Sequence, residues 1–377
     1  MAAKQTMQMR TKALLLTAIA ALVSAACGGS SGRVTAPRTT EPGSDASRSY
    51  ALGEFPPFPD DPLPESTAEA LQAALDATIE DGTFIGVTAA VIVADRGSWT
   101  GAAGAADGHP LTPDSRTPTH SSGKTIVAAQ VLRLAEDGML DLDDLASEHL
   151  PPELGFFDAN GATIRQVLGM RSGIPTVNGG VDTYSVEAGR KTAVKVFRKL
   201  PEPEVAPGGE PDYASTNYVL LGTIIEHTSG RPLTEVLRSD VLHAPYFEGL
   251  VYTVEDALAS DGWGVQVTPG SLARWGYELY GGFVLSDASL REMTDFQGDW
   301  YGLGVMDLSS DYGTLAVGHE GESSVTTCCS LIRLVALPEE GVVISVQANT
   351  AATDRPYDTY NSQVVRMTQA LRDAVRR

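Results

Sequence analysis

Hydrophobic positions along this chain alternate between two periods, and the changeovers outline its elements. Leu71, Leu75 and Ile79 recur at helical spacing. Ser66 and Glu69 read as a capping box before them and Gly82 as a stop after them. Phe84 to Ala94 is then rich in β-formers, and Gly97 to Gly101 suggests its hairpin partner. Thr125 to Ala135 is again helical. Its apolar face holds Val127, Ala128, Val131 and Ala135, and the same face carries Lys124. Further on, Ile164 to Leu168 reads as a short helix, Tyr218 to His227 as a helix closed by Gly230, and Thr268-Pro269 as the start of another that stops at Gly281-Gly282. Strand-like runs return at Tyr301–Leu308, Thr314–Gly318, Thr326–Ala336 and Val342–Gln347, followed by a last helix through Val364, Leu371 and Val375. Strands near both ends with helices between predict an α+β fold: one antiparallel sheet built from both chain ends, flanked by terminal helices, with a mainly helical inserted region.

The N-terminus departs from this pattern. Lys4, Arg10 and Lys12 precede a short apolar run from Ala13 to Val23, then Ser24-Ala25-Ala26-Cys27. Residues 1–26 therefore read as a lipoprotein-type signal peptide, with Cys27 as the lipidated residue. Residues 27–63, dominated by Gly, Ser, Pro and Thr, read as a flexible tether, and residues 64–377 as the folded domain. The expectation is an exported protein, lipid-anchored to the outer face of a bacterial membrane or secreted. Gly28-Gly29-Ser30-Ser31-Gly32 matches the G-x-S-x-G elbow in letters, but neither a strand nor a helix flanks it.

Composition narrows the partners. The chain has 377 residues, 42% hydrophobic, with a formal net charge of −21. Such acidity excludes nucleic acid and adsorption to anionic lipid, and leaves Cys27 as the membrane attachment. Cys328 and Cys329 are adjacent in a predicted strand and point to opposite faces, so they read as two small buried thiols. Asp141, Asp143 and Asp144 lack a complete ligand set and lie where acidic residues suit a helix start, so no metal and no cofactor is expected.

Candidate chemistry begins at Lys124. A lysine on a buried helix face loses solvation, which favours its neutral form and lets it take a proton. Ser121 lies one turn earlier on that face, so amine and hydroxyl at a helix N-terminus make a candidate nucleophile and base. Taken alone, S-x-x-K is a two-letter pattern. It is followed, in chain order, by Tyr213-Ala214-Ser215 and by His319-Glu320-Gly321.

These three motifs, with Leu134-Ala135-Glu136-Asp137-Gly138 and Arg171-Ser172-Gly173-Ile174-Pro175 around them, resemble the penicillin-recognising serine hydrolases. The likeness is closest to the branch of class C β-lactamases, D-alanyl-D-alanine carboxypeptidases and related esterases, and spans about residues 64–376. It implies a β-lactamase/transpeptidase-like fold. It also implies Ser121 as acylated nucleophile, Lys124 as proton acceptor, Tyr213 as second proton carrier and His319 as a stabilising or relaying group. Ser215 and Gly321 would line the substrate, and the backbone N–H groups of Ser121 and Glu322 would form the oxyanion hole. The implied substrate is a small molecule or a peptide or ester of the cell envelope. Three departures stand out. Ser215 replaces the usual asparagine, Gly123 weakens the helix start, and Glu320 and Glu322 would repel a substrate carboxylate if they faced the pocket. Strand alternation requires that both face it or neither does. The alternatives are a non-catalytic envelope lipoprotein using the same fold as a binding module, and a solute-binding lipoprotein. His109, His120, His149, His227 and His243 carry no motif.

Overall fold

The computed structural model describes residues 49–176, 194–242, 250–252, 265–325, 328–350 and 357–377. The segment read as a signal peptide, Cys27, most of the expected tether and His243 lie outside them. So do the side chains of Cys328 and Cys329.

In chain order the elements are α1 (Glu65–Glu80), the hairpin β1 (Gly86–Val93) and β2 (Gly97–Ala106), short strands β3 (His109–Pro110) and β4 (Thr117–Pro118), then α2 (Lys124–Glu136) and α3 (Ile164–Leu168). The inserted region continues with α4 (Thr216–Ser229), α5 (Leu233–Ser239), β5 (Val251–Tyr252), β6 (Val265–Val267), α6 (Pro269–Tyr280) and α7 (Asp287–Met293). The closing part holds β7 (Met306–Asp307), α8 (Ser309–Tyr312), β8 (Val317–Val325), β9 (Cys328–Leu337), β10 (Val342–Asn349) and α9 (Tyr357–Arg376).

Among the described residues one seven-stranded sheet runs β3-β2-β1-β10-β9-β8-β7, and a three-stranded sheet runs β4-β6-β5. The pairings in both are antiparallel. β1 from the N-terminal part pairs with β10 from the C-terminal part along its whole length, from Gly86↔Asn349 to Val93↔Val342. The predicted sheet from both chain ends is therefore present. Both faces are covered, which is why every residue of β1 is buried. α1 and α9 bury Leu71, Leu75, Val364 and Leu371 against one face, with Leu331, Val335 and Leu337 of β9. α6 and α2 lie on the other face with Ile332, Leu334 and Ala336. Among the described residues no helix is long and apolar enough to cross a membrane.

Three sequence expectations change. α1 starts at Glu65, with Pro64 as N-cap, so Ser66 falls inside the helix and makes no capping box; a capping box forms instead at Thr163 and Gln166, before α3. The tether expected through residue 63 ends earlier. Phe55 and Leu63 are buried, Phe55 packs on Tyr277, and Leu63 N–H donates to the Ser98 carbonyl at 2.9 Å. Aromatic and leucine side chains in this Pro-rich segment gain more from burial than an extended leash would from its freedom. Finally, the strand expected over 301–308 shrinks to β7, and the one expected to stop at Gly318 runs to Val325. Pairing with β9, from Val317↔Ala336 to Val325↔Cys328, overrides the poor strand propensity of Gly, Ser and Glu there.

Candidate active site

Ser121 sits in a one-turn 3-10 helix, His120–Gly123, that runs directly into α2. The turn is pinned on three sides. Thr119 N–H donates to the Val265 carbonyl at 2.8 Å, Thr125 Oγ1 to the Ser122 carbonyl at 2.8 Å, and Ser122 Oγ to the His319 carbonyl at 3.2 Å. His120 is held at φ +46°, a left-handed conformation costly for a residue with a Cβ. Gly123, whose flexibility suggested a weak helix start, is buried with helical φ −63°.

Lys124 is the first residue of α2 and is fully buried. Its Nζ donates to Ser121 Oγ at 3.0 Å. It lies 5.4 Å from the Tyr213 ring centroid and 5.6 Å from that of Tyr218. Trp275 of α6 fixes the neighbouring turn through Nε1–H to Thr125 Oγ1 at 2.8 Å.

Tyr213 arrives on a loop tied to the Arg171 segment. Gly208 N–H donates to the Arg171 carbonyl and Asp212 N–H to the Met170 carbonyl, both at 2.8 Å, while the Arg171 guanidinium donates to the Gly209 carbonyl at 2.6 Å. Arg171 also pairs with Asp299. It thereby links the Tyr213 loop to the segment that carries Trp300 and Tyr301. Tyr213 packs between these aromatics: Trp300 stacks on it at 6.3 Å and Tyr301 meets it edge-on at 5.8 Å. Trp300 remains 43% exposed at the rim.

The third motif lies on β8. β7 pairs only with Val317 and Gly318, so the rest of that edge runs beside the Ser121 turn. Gly321 makes this approach possible. A Cβ there would lie 2.8 Å from His120 Cβ and 2.9 Å from Ser121 N. Gly304 plays a similar part on the other flank, where a Cβ would meet Ala128 Cβ at 2.3 Å. His319 is fully buried, its Nε2 3.1 Å from the Tyr301 hydroxyl and its Nδ1 against the Glu320 carbonyl. Burial, then the Lys124 charge, hold its pKa down to about 3, and the same two causes hold His120 down to about 4. Burial keeps the Tyr301 hydroxyl well above the ordinary phenol range.

Register settles the two glutamates. His319 pairs with Leu334 and Gly321 with Ile332, on the face toward α2; Glu320 pairs with Arg333 and Glu322 with Leu331, on the face toward α9. Glu320 is bound by the buried Arg333, which also holds Asp311. Neither glutamate side chain therefore faces Ser121, and the repulsion anticipated for a carboxylate does not come from them.

The structure thus brings Ser121, Lys124, Tyr213, His319 and Gly321 together. Ser215 is half-buried at the N-cap of α4 and makes no capping bond. Asn217, two residues on, does not replace the missing amide: it accepts from Ser172 Oγ at 2.5 Å and donates to Met170 Sδ at 3.4 Å. Asp143 and Asp144 are spent on Arg165 and His149. Sequence reasoning missed Tyr218, Trp300, Tyr301 and Arg171. The Trp300-Tyr301-Gly302 run before a strand was the available signal for two of them.

A serine turn running into a buried lysine, a tyrosine loop and a strand bearing H-x-G, in that chain order, place the fold with the penicillin-recognising serine hydrolases. The chain belongs to the Beta-lactamase family, which matches it over residues 71–366. Among curated proteins it is 29% identical over 133 residues to Protein flp of Staphylococcus aureus, covering 35% of this chain and 27% of that one. It is 26% identical over 136 residues to Penicillin-binding protein 4* of Bacillus subtilis, covering 35% and 29%. The alignments thus span little more than a quarter of these relatives. Among solved structures, the D-amino acid amidase of Ochrobactrum anthropi superposes with a TM-score of 0.66 at 22% identity, over 82% of this chain and 99% of that one. The octameric penicillin-binding protein homologue of Pyrococcus abyssi superposes at 0.59 and 20%, over 80% and 77%. At these identities the likeness is one of fold.

Proposed function

We propose that the chain is an exported serine hydrolase that cleaves an amide or ester bond through an acyl-enzyme on Ser121. The observation that carries this is the 3.0 Å contact between the fully buried Lys124 amine and Ser121 Oγ. In its neutral form that amine accepts the hydroxyl proton as Ser121 Oγ bonds to the substrate carbonyl carbon. The Ser121 N–H, beside β8, and the Glu322 N–H are the assigned donors to the oxyanion. When the tetrahedral species collapses, the bond to the leaving amine or alkoxide breaks. Tyr213, close to Lys124, passes the proton to that group. Water then cleaves the Ser121 ester by the same route in reverse.

The amidase among the fold neighbours and the shorter Ser215 in the second motif favour small amides and esters over efficient β-lactam turnover. A carboxypeptidase-like action on envelope peptides is the neighbouring possibility within the same chemistry. Residues 1–26 and Cys27 support delivery to the outer face of a bacterial membrane on a lipid anchor. The substrate is a small molecule or an envelope component, with neither cofactor nor nucleic acid involved.

The test is intact mass of the chain after incubation with a penicillin and, separately, with p-nitrophenyl acetate, beside Ser121→Ala. One covalent adduct on the wild type, absent from the variant, supports the reading. Hydrolysis that survives in Ser121→Ala overturns it.

A further inference from the structure

We propose that Tyr301 locks His319 as its neutral Nδ1–H tautomer, so that the third motif offers no positive charge and the site selects substrates with no carboxylate beside the scissile bond. The Glu320 carbonyl only accepts, so the His319 nitrogen facing it, Nδ1, carries the proton. Nε2 then holds a lone pair, and the Tyr301 O–H 3.1 Å away is assigned as its donor in preference to the other partner of that hydroxyl, Tyr218. His319 is 0% and Tyr301 1% exposed, so no water competes for either nitrogen. A second proton on the ring would turn the Tyr301 hydroxyl toward Tyr218 and would bury a cation against the Lys124 amine.

The surrounding groups favour the neutral ring. α2 contributes Lys124, the Ser121 turn His120, the second-motif loop Tyr213 and α4 Tyr218, none of them a carboxylate. The nearest carboxylate in sequence, Glu320, points to the opposite face of the sheet and is bound by Arg333. The low pKa of His319 agrees with this geometry.

The consequence is substrate selection. A carboxylate lying along β8 meets an uncharged imidazole there. Arg171 is committed to Asp299 and the Gly209 carbonyl, Arg333 lies on the far face, and Lys124 is bonded to Ser121. The chain's net charge of −21 repels an anion further. Neutral amides and esters pay none of these penalties. The selection rests on Ser121 being the nucleophile; the tautomer does not.

Two measurements on the full chain test the two parts separately. In a ¹⁵N-histidine spectrum, the signals lost in His319→Gln are expected to show a protonated Nδ1 and a bare Nε2 from pH 8 to pH 5. An Nε2–H tautomer, or two protonated nitrogens at pH 6, overturns the lock. For selection, kcat/KM is compared for an N-acetyl-D-alanyl-D-alanine dipeptide and its C-terminal amide. The wild type is expected to prefer the amide by roughly tenfold or more, the scale of one unit-charge interaction near a protein surface. In Tyr301→Phe the His319 Nε2 resonance is expected to move as it loses its hydrogen-bond donor, and an unchanged resonance overturns the part given to Tyr301. Equal or better turnover of the carboxylate form by wild type overturns the selection. Failure of Ser121 as nucleophile would show itself differently, as activity retained in Ser121→Ala with the histidine spectrum unchanged.

Discussion

Gly321→Ala adds one methyl group where β8 meets the Ser121 turn. Its Cβ would lie 2.6 Å from Ile332 Cγ2, 2.8 Å from His120 Cβ and 2.9 Å from Ser121 N. The Ile332 methyl branches from Cβ of a buried strand residue and moves only with χ1. His120 is fixed as well, by its φ of +46° and the bonds from Thr119 and Ser122. To reach ordinary contact near 3.4 Å, the Ser121 backbone must retreat by about half an ångström. Overpacking of this kind costs about 1–3 kcal/mol. Since a 1 Å misplacement costs on the order of 10²-fold in rate, half of that predicts about a tenfold loss of acylation. Urea unfolding reads the first quantity, and time-resolved intact mass with an acylating ester reads the second. Gly209→Ala serves as control, because a Cβ there meets nothing within 4 Å. A Gly321→Ala protein matching wild type in both stability and acylation would refute the close approach on which this account of the third motif depends.

Three other outcomes follow from the same geometry. Lys124→Ala is expected to lower the acylation rate by about 10²–10⁴-fold, the usual worth of a positioned base, in the same mass assay. Stability should fall as pH drops below about 6.5: His120 and His319 bind protons less readily in the native state, with pKa near 4 and near 3, than in the unfolded one, so ΔG of unfolding rises with pH between these values. At its steepest the two rings together give about 2.7 kcal/mol per pH unit, and His319→Gln should roughly halve that slope in urea titrations across pH 4–7. Arg333→Ala strips the buried partner from Glu320 and Asp311 and is expected to cost about 3–5 kcal/mol by denaturant unfolding, with Ser121 still open to acylation at permissive conditions.

Much of this was legible from residue spacing. A lysine on the apolar face of a helix, three residues after a serine, predicts the buried contact that the structure forms. The hairpin of β1 and β2 and the long final helix follow equally from periodicity. What stayed hidden depends on pairing across distance. The side of the sheet that Glu320 faces is set by its register with Arg333, which local alternation leaves as two equal choices. The length of β8 is set by β9 rather than by its own Gly and Ser residues. Tyr301 reads as the start of an ordinary strand and Trp300 as nothing in particular, because nothing local tells that their rings close over Tyr213 and His319. The Pro-rich segment before α1 read as leash, since proline content reports backbone stiffness and says nothing of where Phe55 finds a partner.

The pairing of β1 with β10 has a consequence for how the chain must be made. A strand completed before residue 94 waits for a neighbour that begins at residue 342, so the centre of the sheet closes only after almost the whole polypeptide has been synthesised. Contacts of such sequence separation are slow to form. During synthesis the early hairpin has one edge without its native strand, and a chain stopped short of residue 342 would never gain it. If the chain is exported through a narrow channel, as proposed, this delay suits it: the chain remains unfolded and threadable for most of its length, and the Ser121 turn is assembled against β8 only on the far side. Ribosome-released fragments ending before β10 should accordingly be targets for proteases rather than partially active enzymes.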